Sequence, residues 1–322
     1  MNNFFPGPTV SQQAALNSIA RFLEQQIPIF LLRGSAGTGK TTMITNIVKL
    51  LIEKKRPFQL LAPTGRAARI LGARTHCGAR TIHGYIYAVP DINVIESAES
   101  PNDPGLHWFF PLKHDDPLQK VFIVDEASMV GDKESKGDLL QFGSGRLLAD
   151  LIEFSRLGRL GRPPEFGPQI IFVGDWAQLP PVGETLSPAL SAKYLRDVFR
   201  LECDEFELTE VVRQQAGSAV LDRATVLRDA IGNKLFNSFN VAAAEGEIVL
   251  SSISDGVATA EASFRSKSSA VFITSSNAQA LKLNRAVRGR LWGAEDADVQ
   301  SGDLLLINKN SFKCELSNGD LV

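Results

Sequence analysis

The stretch with the clearest chemical signature runs from Gly34 to Thr41 and reads GSAGTGKT. It fits the pattern G-x-x-x-x-G-K-[ST] between an apolar stretch and a helical pattern, the context that a phosphate-binding P-loop requires. Its glycines let backbone N–H groups turn inward around phosphate oxygens, and the start of the next helix adds a favourable dipole. We therefore expect an ATP site rather than a Gly-rich turn that merely begins a helix, with Lys40 on the β- and γ-phosphates and the Thr41 hydroxyl on Mg²⁺. The predicted nucleotide-binding residues of this stretch are Gly34, Ser35, Ala36, Gly37, Thr38, Gly39, Lys40, Thr41 and Thr42.

A pair of acidic residues follows a second apolar stretch, in VFIVDEAS. In P-loop enzymes an Asp in the place of Asp125 holds magnesium, and a Glu in the place of Glu126 can orient and deprotonate the attacking water. Because neighbouring strand residues point to opposite sides, both side chains reach one site only if the strand end unwinds. Alone, the pair would indicate a solvated turn; beside the P-loop it indicates a catalytic site.

A third polar segment, GDWAQLPPVG, also follows an apolar stretch, QIIFV. It contains Asp175 and Gln178, and the Gln178 amide can hydrogen-bond a γ-phosphate or the attacking water. Pro180 and Pro181 fix an extended backbone after it. By itself this would be an ordinary surface loop, and it gains meaning only beside the other two motifs.

The elements around these motifs alternate between apolar stretches and helical patterns. Continuous apolar strands separated by helices predict an α/β fold with a parallel sheet covered on both faces. The strands predicted in the first part lie at 28–33, 59–62, 121–124 and 169–173, and the helices at 40–53, 66–71 and 147–154. The pattern restarts near residue 205, with strands at 206–208, 247–250 and 270–274 and helices at 220–231 and 277–291. We predict two domains, 1–200 and 201–322, with the boundary near Phe199–Asp204.

Residues 86–118 interrupt the first domain and predict a β-hairpin insert with a long, turn-rich tip. Trp108, Phe109 and Phe110 in this insert can stack on bases, but three aromatic residues in one strand more often fill a core.

Bulk properties exclude some classes of protein. The sequence contains no run of about eighteen apolar residues, so it predicts no membrane span, and its N-terminus does not resemble a secretory signal. Cys77, Cys203 and Cys314 are scattered without metal-ligand spacing, and His76 beside Cys77 has no partner at such spacing, so we predict reduced thiols and a cytoplasmic protein. The net charge of −2 does not indicate a nucleic-acid binder, although a motor that tracks one strand needs only a local basic groove.

Six segments together resemble the superfamily 1B DNA helicases, with the RecD-like (exonuclease V alpha-subunit) and Dda-like group as the nearest. In chain order they are APTGRAA, TIHG, VDEASM, GDWAQLPPVG, LTEVVRQ and FITSSNAQALKLN. GDxxQLPPVG combined with LTEVVRQ is far more specific than the P-loop, and the resemblance covers essentially the whole chain. It implies two RecA-like parallel-sheet domains of a P-loop NTPase, with ATP and Mg²⁺ as cofactors.

The resemblance implies roles for the matching residues around the nucleotide. Gln12 matches the family's adenine-reading glutamine, with Gln13 as the alternative, and Gln178 senses the γ-phosphate. Arg213 reaches the same phosphate from the second domain, unless it is an ordinary salt-bridge residue at a helix start. Thr41 and Asp125 hold the metal. The catalytic set is Lys40, Glu126, Gln178 and Arg213.

The resemblance also implies contacts with single-stranded DNA. Pro63, Thr64, Gly65, Thr81 and His83 match motifs that contact the DNA backbone in relatives, and small polar groups suit sequence-blind binding. His83 has an alternative as a helix cap or a core residue. The insert at 86–118 falls where relatives carry a strand-separating pin. Protein partners in a repair, recombination or replication complex are a further expectation.

The helicase pattern departs from the family after LSNGDLV, where relatives continue into an SH3-like insert and later motifs with a second phosphate-contacting arginine. We therefore expect a truncated chain that binds nucleotide but turns it over slowly alone. The leading interpretation is an ATP-dependent 5′-to-3′ DNA helicase and translocase. The alternatives are a nucleotide-gated binding or recruitment module without turnover, and a P-loop kinase or signalling ATPase.

Overall fold

The computed structural model describes residues 8–88, 108–114, 120–135, 140–155, 167–210, 218–235, 242–294, 298–307 and 322. The chain divides into two units. The first comprises Met1–Gln214 with Leu306–Asp320, and the second comprises Gln215–Leu305 with Leu321–Val322.

The first unit is built on a parallel sheet. Its strands, within the described residues, are β1 (Ile29–Gly34), β2 (Phe58–Ala62), β3 (Ala79–Thr81), β5 (Val121–Val124), β7 (Gln169–Gly174) and β8 (Cys203–Leu208). They lie in the order β3-β2-β5-β7-β1-β8, and every pairing between them is parallel. Strands β5 and β7, which end at Val124 and Gly174, are therefore neighbours, and β1, which leads into the P-loop, lies next to β7. The predicted α/β fold with a parallel sheet is confirmed for this unit.

Helices cover both faces of this sheet, so successive strand residues enter two different cores. In β1, Phe30 and Leu32 pack under α1 (Val10–Phe22), α2 (Lys40–Glu53) and α3 (Gly65–Thr75). Ile29 and Leu31 pack on the opposite face under α4 (Ile82–Ile86), α5 (Leu147–Phe154) and α6 (Ala192–Phe199). Burying one such side chain contributes about 1.5–3 kcal/mol, so this double cover holds the strand ends rigidly in place.

Strand β8 places the boundary between the units later than the sequence predicted. Cys203–Leu208 pairs in parallel with all six residues of β1, from Ile29↔Cys203 to Gly34↔Leu208, so it is the edge strand of the first sheet. The first unit consequently continues to Gln214, whereas the predicted second domain began at residue 201. Burial also raises the pKa of the Cys203 thiol to about 12, which makes it a poor nucleophile.

The second unit consists, in its described residues, of helices and connecting segments. The helices α7 (Ala219–Gly232) and α9 (Asn277–Trp292) match the predicted helical patterns, whereas α8 (Ile253–Arg265) was not predicted. The strands predicted at 247–250 and 270–274 are wrong: both segments are irregular, apart from an isolated bridge between Ala244 and Ile248. A strand needs a neighbour to satisfy its backbone, and Val271 and Ile273 are 84% and 96% exposed. The described part of this unit therefore does not form the predicted second parallel sheet.

The base of the insert forms a small separate sheet. Strand β4 (Trp108–Phe110) pairs in parallel with β6 (Leu140–Phe142), and Tyr87 forms an antiparallel bridge with Leu112. Residues 89–107 and 115–119, which include the tip of the predicted hairpin and its first strand, lie outside the described residues. Phe110 stacks on Phe142 with ring centroids 4.5 Å apart and joins the core, whereas Phe109 is 40% exposed. In the part of the chain that the structure describes, no helix has the length and apolar character needed to cross a membrane.

Candidate nucleotide site

The P-loop connects β1 to α2, as the sequence predicted. Helix α2 begins at Lys40, and the two preceding glycines, Gly37 and Gly39, have φ values of +85° and +82°. Residues with a Cβ adopt this region rarely, so the glycines allow the loop to turn back on itself. A Cβ on Gly39 would also lie only 2.4 Å from Nε2 of Gln12. The glycine is therefore required both by backbone conformation and by the close approach of another side chain.

Side chains of the loop are held by its own backbone. Lys40 Nζ donates to the carbonyl oxygens of Gly34 at 2.9 Å and Ser35 at 3.0 Å. The buried Thr38 hydroxyl donates to the Ser35 carbonyl at 2.9 Å. Thr41 is half-buried on the first turn of α2. The ammonium group and the helix N-terminus thus lie at one loop, which is the arrangement that favours bound phosphate.

Gln12 joins helix α1 to this loop. Its Nε2 donates to the carbonyl of Thr38 at 3.1 Å, and its Oε1 accepts from the backbone N–H of Thr9 at 3.2 Å. Thr9 in turn caps α1 through a reciprocal capping box with Gln12. Gln13 is exposed and contacts Asn17 in the same helix. Of the two candidates, the structure therefore places Gln12, which is 3% exposed, against the P-loop.

The chain leaves the strand direction directly after β5. The strand ends at Val124, and Glu126 has φ +51° and ψ +40°, a left-handed conformation that costs a non-glycine residue about 1–3 kcal/mol. Asp125 Oδ1 accepts from the backbone N–H of Glu126 at 3.0 Å, and a turn of 3-10 helix, Ala127–Met129, follows. The strand end thus unwinds as the two acidic residues require. Strain of this kind clusters at functional sites.

The Asp125 carboxyl lies in surroundings that disfavour its ionised form. Burial and the neighbouring charge of Glu126 raise its pKa from 3.8 to about 6, and the hydrogen bond from the Glu126 backbone N–H and the positive charges of Lys40 and Arg74 only partly oppose that effect. A buried carboxylate in this state gains from an additional cation, because positive charge favours its ionised form.

The loop after β7 packs closely against the segment after Glu126. A Cβ on Gly174 would lie 3.2 Å from the Ser128 nitrogen and 3.3 Å from the Ala127 nitrogen, so this position needs a residue without a side chain. The buried Ser128 hydroxyl lies 3.5 Å from Gln178 Oε1, at the limit of a hydrogen bond. Ser128 is a contact that the sequence analysis did not single out, although its place two residues after Glu126 is a usable signal.

The three motifs therefore come together at one edge of the sheet. Strands β5, β7 and β1 are adjacent and parallel, so their carboxyl ends, which carry Asp125, Gly174 and the P-loop, face the same side. Ligands of open parallel sheets bind outside this edge.

The residues matched to DNA contacts also serve as helix caps. The Thr64 hydroxyl accepts from the Ala67 N–H at 3.2 Å at the start of α3, and the Thr81 hydroxyl accepts from the Gly84 N–H at 3.0 Å at the start of α4. Pro63 and Gly65, which flank Thr64, are half-buried. These caps fix the ends of β2 and β3, so the backbone in both places is rigid and partly exposed.

His83 lies in an aromatic cluster at the base of the insert. Its ring packs edge-on against Phe142 at 5.1 Å and tilts over Tyr87 at 5.5 Å between centroids. Burial lowers its pKa, and the charge of Asp150, which accepts a 2.6 Å hydrogen bond from the Tyr87 hydroxyl, opposes that shift. These contacts favour the core interpretation of His83. Arg213 lies outside the described residues.

Comparison with known proteins places these motifs in a wider group. A family model described as "AAA domain" matches residues 17–184. An ATP-dependent RecD2 DNA helicase of Deinococcus radiodurans is 29% identical over 61% of this chain and 21% of its own length. An ATP-dependent DNA helicase PIF1 of Emericella nidulans is 31% identical over 54% of this chain and 20% of its own length. The ATP-dependent DNA helicase dda of Enterobacteria phage T4 is 26% identical over 96% of this chain and 63% of its own length.

These matches confirm the predicted resemblance to RecD-like and Dda-like helicases. The chain spans about a fifth of the first two relatives and less than two thirds of the third.

Proposed function

The chain belongs to the AAA domain family, and from that premise we propose that it is the ATP-driven part of a DNA helicase and translocase motor. The observation that carries this proposal is the meeting of three motifs at the carboxyl ends of three adjacent parallel strands. The P-loop follows β1, the Asp125–Glu126 pair follows β5, and the Gln178 loop follows β7. Relatives that are named ATP-dependent DNA helicases share this part of the chain.

ATP and Mg²⁺ are the proposed cofactors. Lys40 supplies positive charge to the β- and γ-phosphates, and the Gly37 and Gly39 conformations turn the loop around them. Thr41 and Asp125 are the proposed magnesium ligands. The fit to a divalent cation rests on Asp125, because its burial is only partly offset by Lys40 and Arg74. The metal would supply the charge that neutralises the transferring phosphoryl group.

Hydrolysis is assigned to two other side chains. Glu126 orients and deprotonates the attacking water, for which its left-handed backbone turns it away from the strand direction. Gln178 contacts the γ-phosphate or the same water, with Ser128 behind its amide. Arg213, which falls within the first unit, remains a proposed contact to the γ-phosphate, and Gln12 a proposed contact to the base.

Single-stranded DNA is the proposed substrate track. Pro63, Thr64 and Gly65 directly follow β2, and Thr81 ends β3, so the segments matched to DNA contacts lie at the same sheet edge as the nucleotide motifs. Travel in the 5′-to-3′ direction and partners in a repair or replication complex rest on the resemblance alone, whereas the proposed cytoplasmic location rests on the scattered cysteines.

The direct test is ATP hydrolysis with and without oligo(dT) by the wild-type chain and Glu126→Gln. We expect slow turnover that rises when oligo(dT) is added. Glu126→Gln should bind ATP normally but lose about a hundredfold or more of that turnover, the scale of a general base. Normal hydrolysis by Glu126→Gln would place the base elsewhere. Nucleotide binding with no turnover in either condition would favour a nucleotide-gated binding module instead of a motor.

A further inference from the structure

Glu184 ends the GDWAQLPPVGE segment and reaches back to the chain that follows Glu126. Its Oε1 accepts two backbone hydrogen bonds, from Asp132 N at 2.8 Å and from Lys133 N at 3.0 Å. Its own backbone N–H closes a turn on the carbonyl of Pro181 at 3.0 Å. Bonds from N–H groups to an ionised carboxylate are about twice as strong as neutral ones. One side chain therefore joins the two loops.

The contact is built closely around this carboxylate. A Cβ on Gly131 would lie 2.5 Å from Glu184 Oε1 and 2.9 Å from Pro181 Cβ. Gly183, with φ +78°, faces Lys133, whose Nζ donates to the Gly183 carbonyl at 3.4 Å. Two glycines, one on each segment, thus permit the approach, and the Glu184 carboxylate meets backbone N–H groups of the other segment rather than another flexible side chain.

The segment that Glu184 holds is itself fixed to the body of the first unit. The buried Asp132 carboxylate accepts from the Ala149 N–H at 3.1 Å, in the first turn of α5, and from the Tyr194 hydroxyl at 2.8 Å, on α6. Arg146 donates to the same carboxylate and, through Nε, to the Asp132 carbonyl at 3.0 Å. The backbone around Asp132 is therefore held rigidly, and the Glu184 carboxylate attaches the Gln178 loop to it.

The loop that carries Gln178 is consequently held against the segment after Glu126 at three points. Gly174 meets the backbone of Ala127 and Ser128 at its start, Gln178 meets Ser128 in its middle, and Glu184 closes its end. The middle contact is the weakest, at 3.5 Å. The position of Gln178 thus depends on the two ends of the loop. Gly174 is the last residue of β7, whereas the far end of the loop depends on Glu184.

We propose that Glu184 is a positioning residue for ATP hydrolysis: its carboxylate holds the loop that carries Gln178 in a fixed position relative to Glu126. This inference rests on the proposed function, because it assigns Glu184 an effect on the same site. Its carboxylate acts through the loop rather than on substrate. Loss of Glu184 should therefore slow turnover and leave nucleotide binding by the P-loop nearly unchanged.

The experiment uses the full chain as wild type, Glu184→Ala, Glu184→Gln and the control Glu202→Ala. Glu202 is a matched surface glutamate that forms a 3.6 Å ion pair with Arg196, and its side chain is 70% exposed. Amide hydrogen exchange is followed in peptides covering 131–134 and 175–183. Affinity for a fluorescent ATP analogue, and kcat and KM for ATP with saturating oligo(dT), are measured in parallel.

We expect Glu184→Ala to speed exchange in both peptides by about tenfold and to lower kcat by about ten- to hundredfold, the scale for a displaced catalytic group. Nucleotide affinity should stay within about twofold of the wild-type value, since the P-loop does not take part in the contact between Glu184 and residues 132–133. Glu184→Gln should recover part of the loss, because a neutral acceptor oxygen keeps weaker bonds to the same two N–H groups. Glu202→Ala should match wild type in every measurement.

Unchanged exchange in the two peptides of Glu184→Ala would overturn the inference. Equal losses of nucleotide affinity, kcat and melting temperature would also overturn it, because they would indicate general destabilisation. Failure of the proposed function gives a different result: the wild type itself would not hydrolyse ATP with oligo(dT). The exchange measurement would then still decide whether Glu184 fixes the loop.

Discussion

The two units of this chain differ in how completely they bury their apolar residues. In the first unit, strands such as β1 and β7 bury side chains on both faces of the sheet. In the described part of the second unit, Val257 alone among the hydrophobic residues is buried, while Val271, Ile273 and Val249 are mostly exposed. The helices of both units form from local hydrogen bonds, but a sheet requires neighbouring strands. A nucleotide site at strand ends therefore belongs to the first unit, where the strands are present and rigid.

The largest expected effect compares one aromatic residue from each unit. Phe30 is fully buried beside Phe22, with centroids 5.2 Å apart, whereas Phe264 is 37% exposed against Trp292 at 5.9 Å. Phe30→Ala should lower the free energy of unfolding by about 3–5 kcal/mol, the range for a deleted core aromatic. Phe264→Ala should cost less than about 1.5 kcal/mol, the scale of an exposed aromatic pair. Urea unfolding followed by circular dichroism measures both, and equal losses would contradict the difference between the units.

Local chemistry in the sequence was sufficient to predict the elements around the nucleotide motifs. Helix α2 has the predicted bounds of Lys40 and Glu53, because the P-loop fixes its start and its apolar periodicity fixes its buried face. The unwinding after Val124 was likewise predictable, since two adjacent acidic residues reach one site only if the strand ends there.

Pairing between distant segments was not predictable in the same way. The sequence predicts a strand within β8, but no local feature shows which strand it pairs with. Its partner is β1, which is distant along the chain, so the sequence pattern alone suggests the start of a new sheet. The segments near Val249 and Val271 are apolar and rich in β-branched residues, a composition that predicts strands. Composition alone does not show whether a neighbouring strand is present to pair with them. The role proposed for Glu184 could not be predicted from the sequence, because a single glutamate after a proline-containing turn matches no motif.

A smaller effect concerns Gln12, at the contact between α1 and the P-loop. The Gln12 amide donates a hydrogen bond to the Thr38 carbonyl in the P-loop. Removing the Gln12 side chain therefore removes a contact to the loop, whichever base the nucleotide carries. Gln12→Ala should weaken binding of GTP by about fivefold, equivalent to about 1 kcal/mol for one hydrogen bond, and binding of ATP by at least as much, because the proposed contact to adenine is lost as well. Titration with fluorescent analogues of both nucleotides measures this, with Gln13→Ala as the control. A loss confined to ATP would instead mean that Gln12 acts only on the adenine.

The smallest effect is a pH dependence in the first unit. Burial holds the pKa of His83 below its ordinary value, with Asp150 and the Tyr87 hydroxyl beside it. The unfolded chain, with a histidine pKa of about 6.5, then binds the proton more readily, so acid favours unfolding below that pH. His83→Phe keeps the ring contacts and should flatten the fall in stability between pH 6.5 and 5. Urea unfolding across this range tests it, and an unchanged slope would mean that His83 titrates normally in the folded protein.

The central claim, that the first unit carries an ATP site at its P-loop, is tested most directly by calorimetric titration of Mg-ATP into wild type and Lys40→Ala. Lys40 contributes a charge-assisted contact to the phosphates, and such contacts are worth about 1.5–3 kcal/mol. We expect saturable binding by the wild type and an affinity about tenfold to a hundredfold lower in Lys40→Ala. Equal Mg-ATP affinity in the two proteins would contradict the assignment of the site.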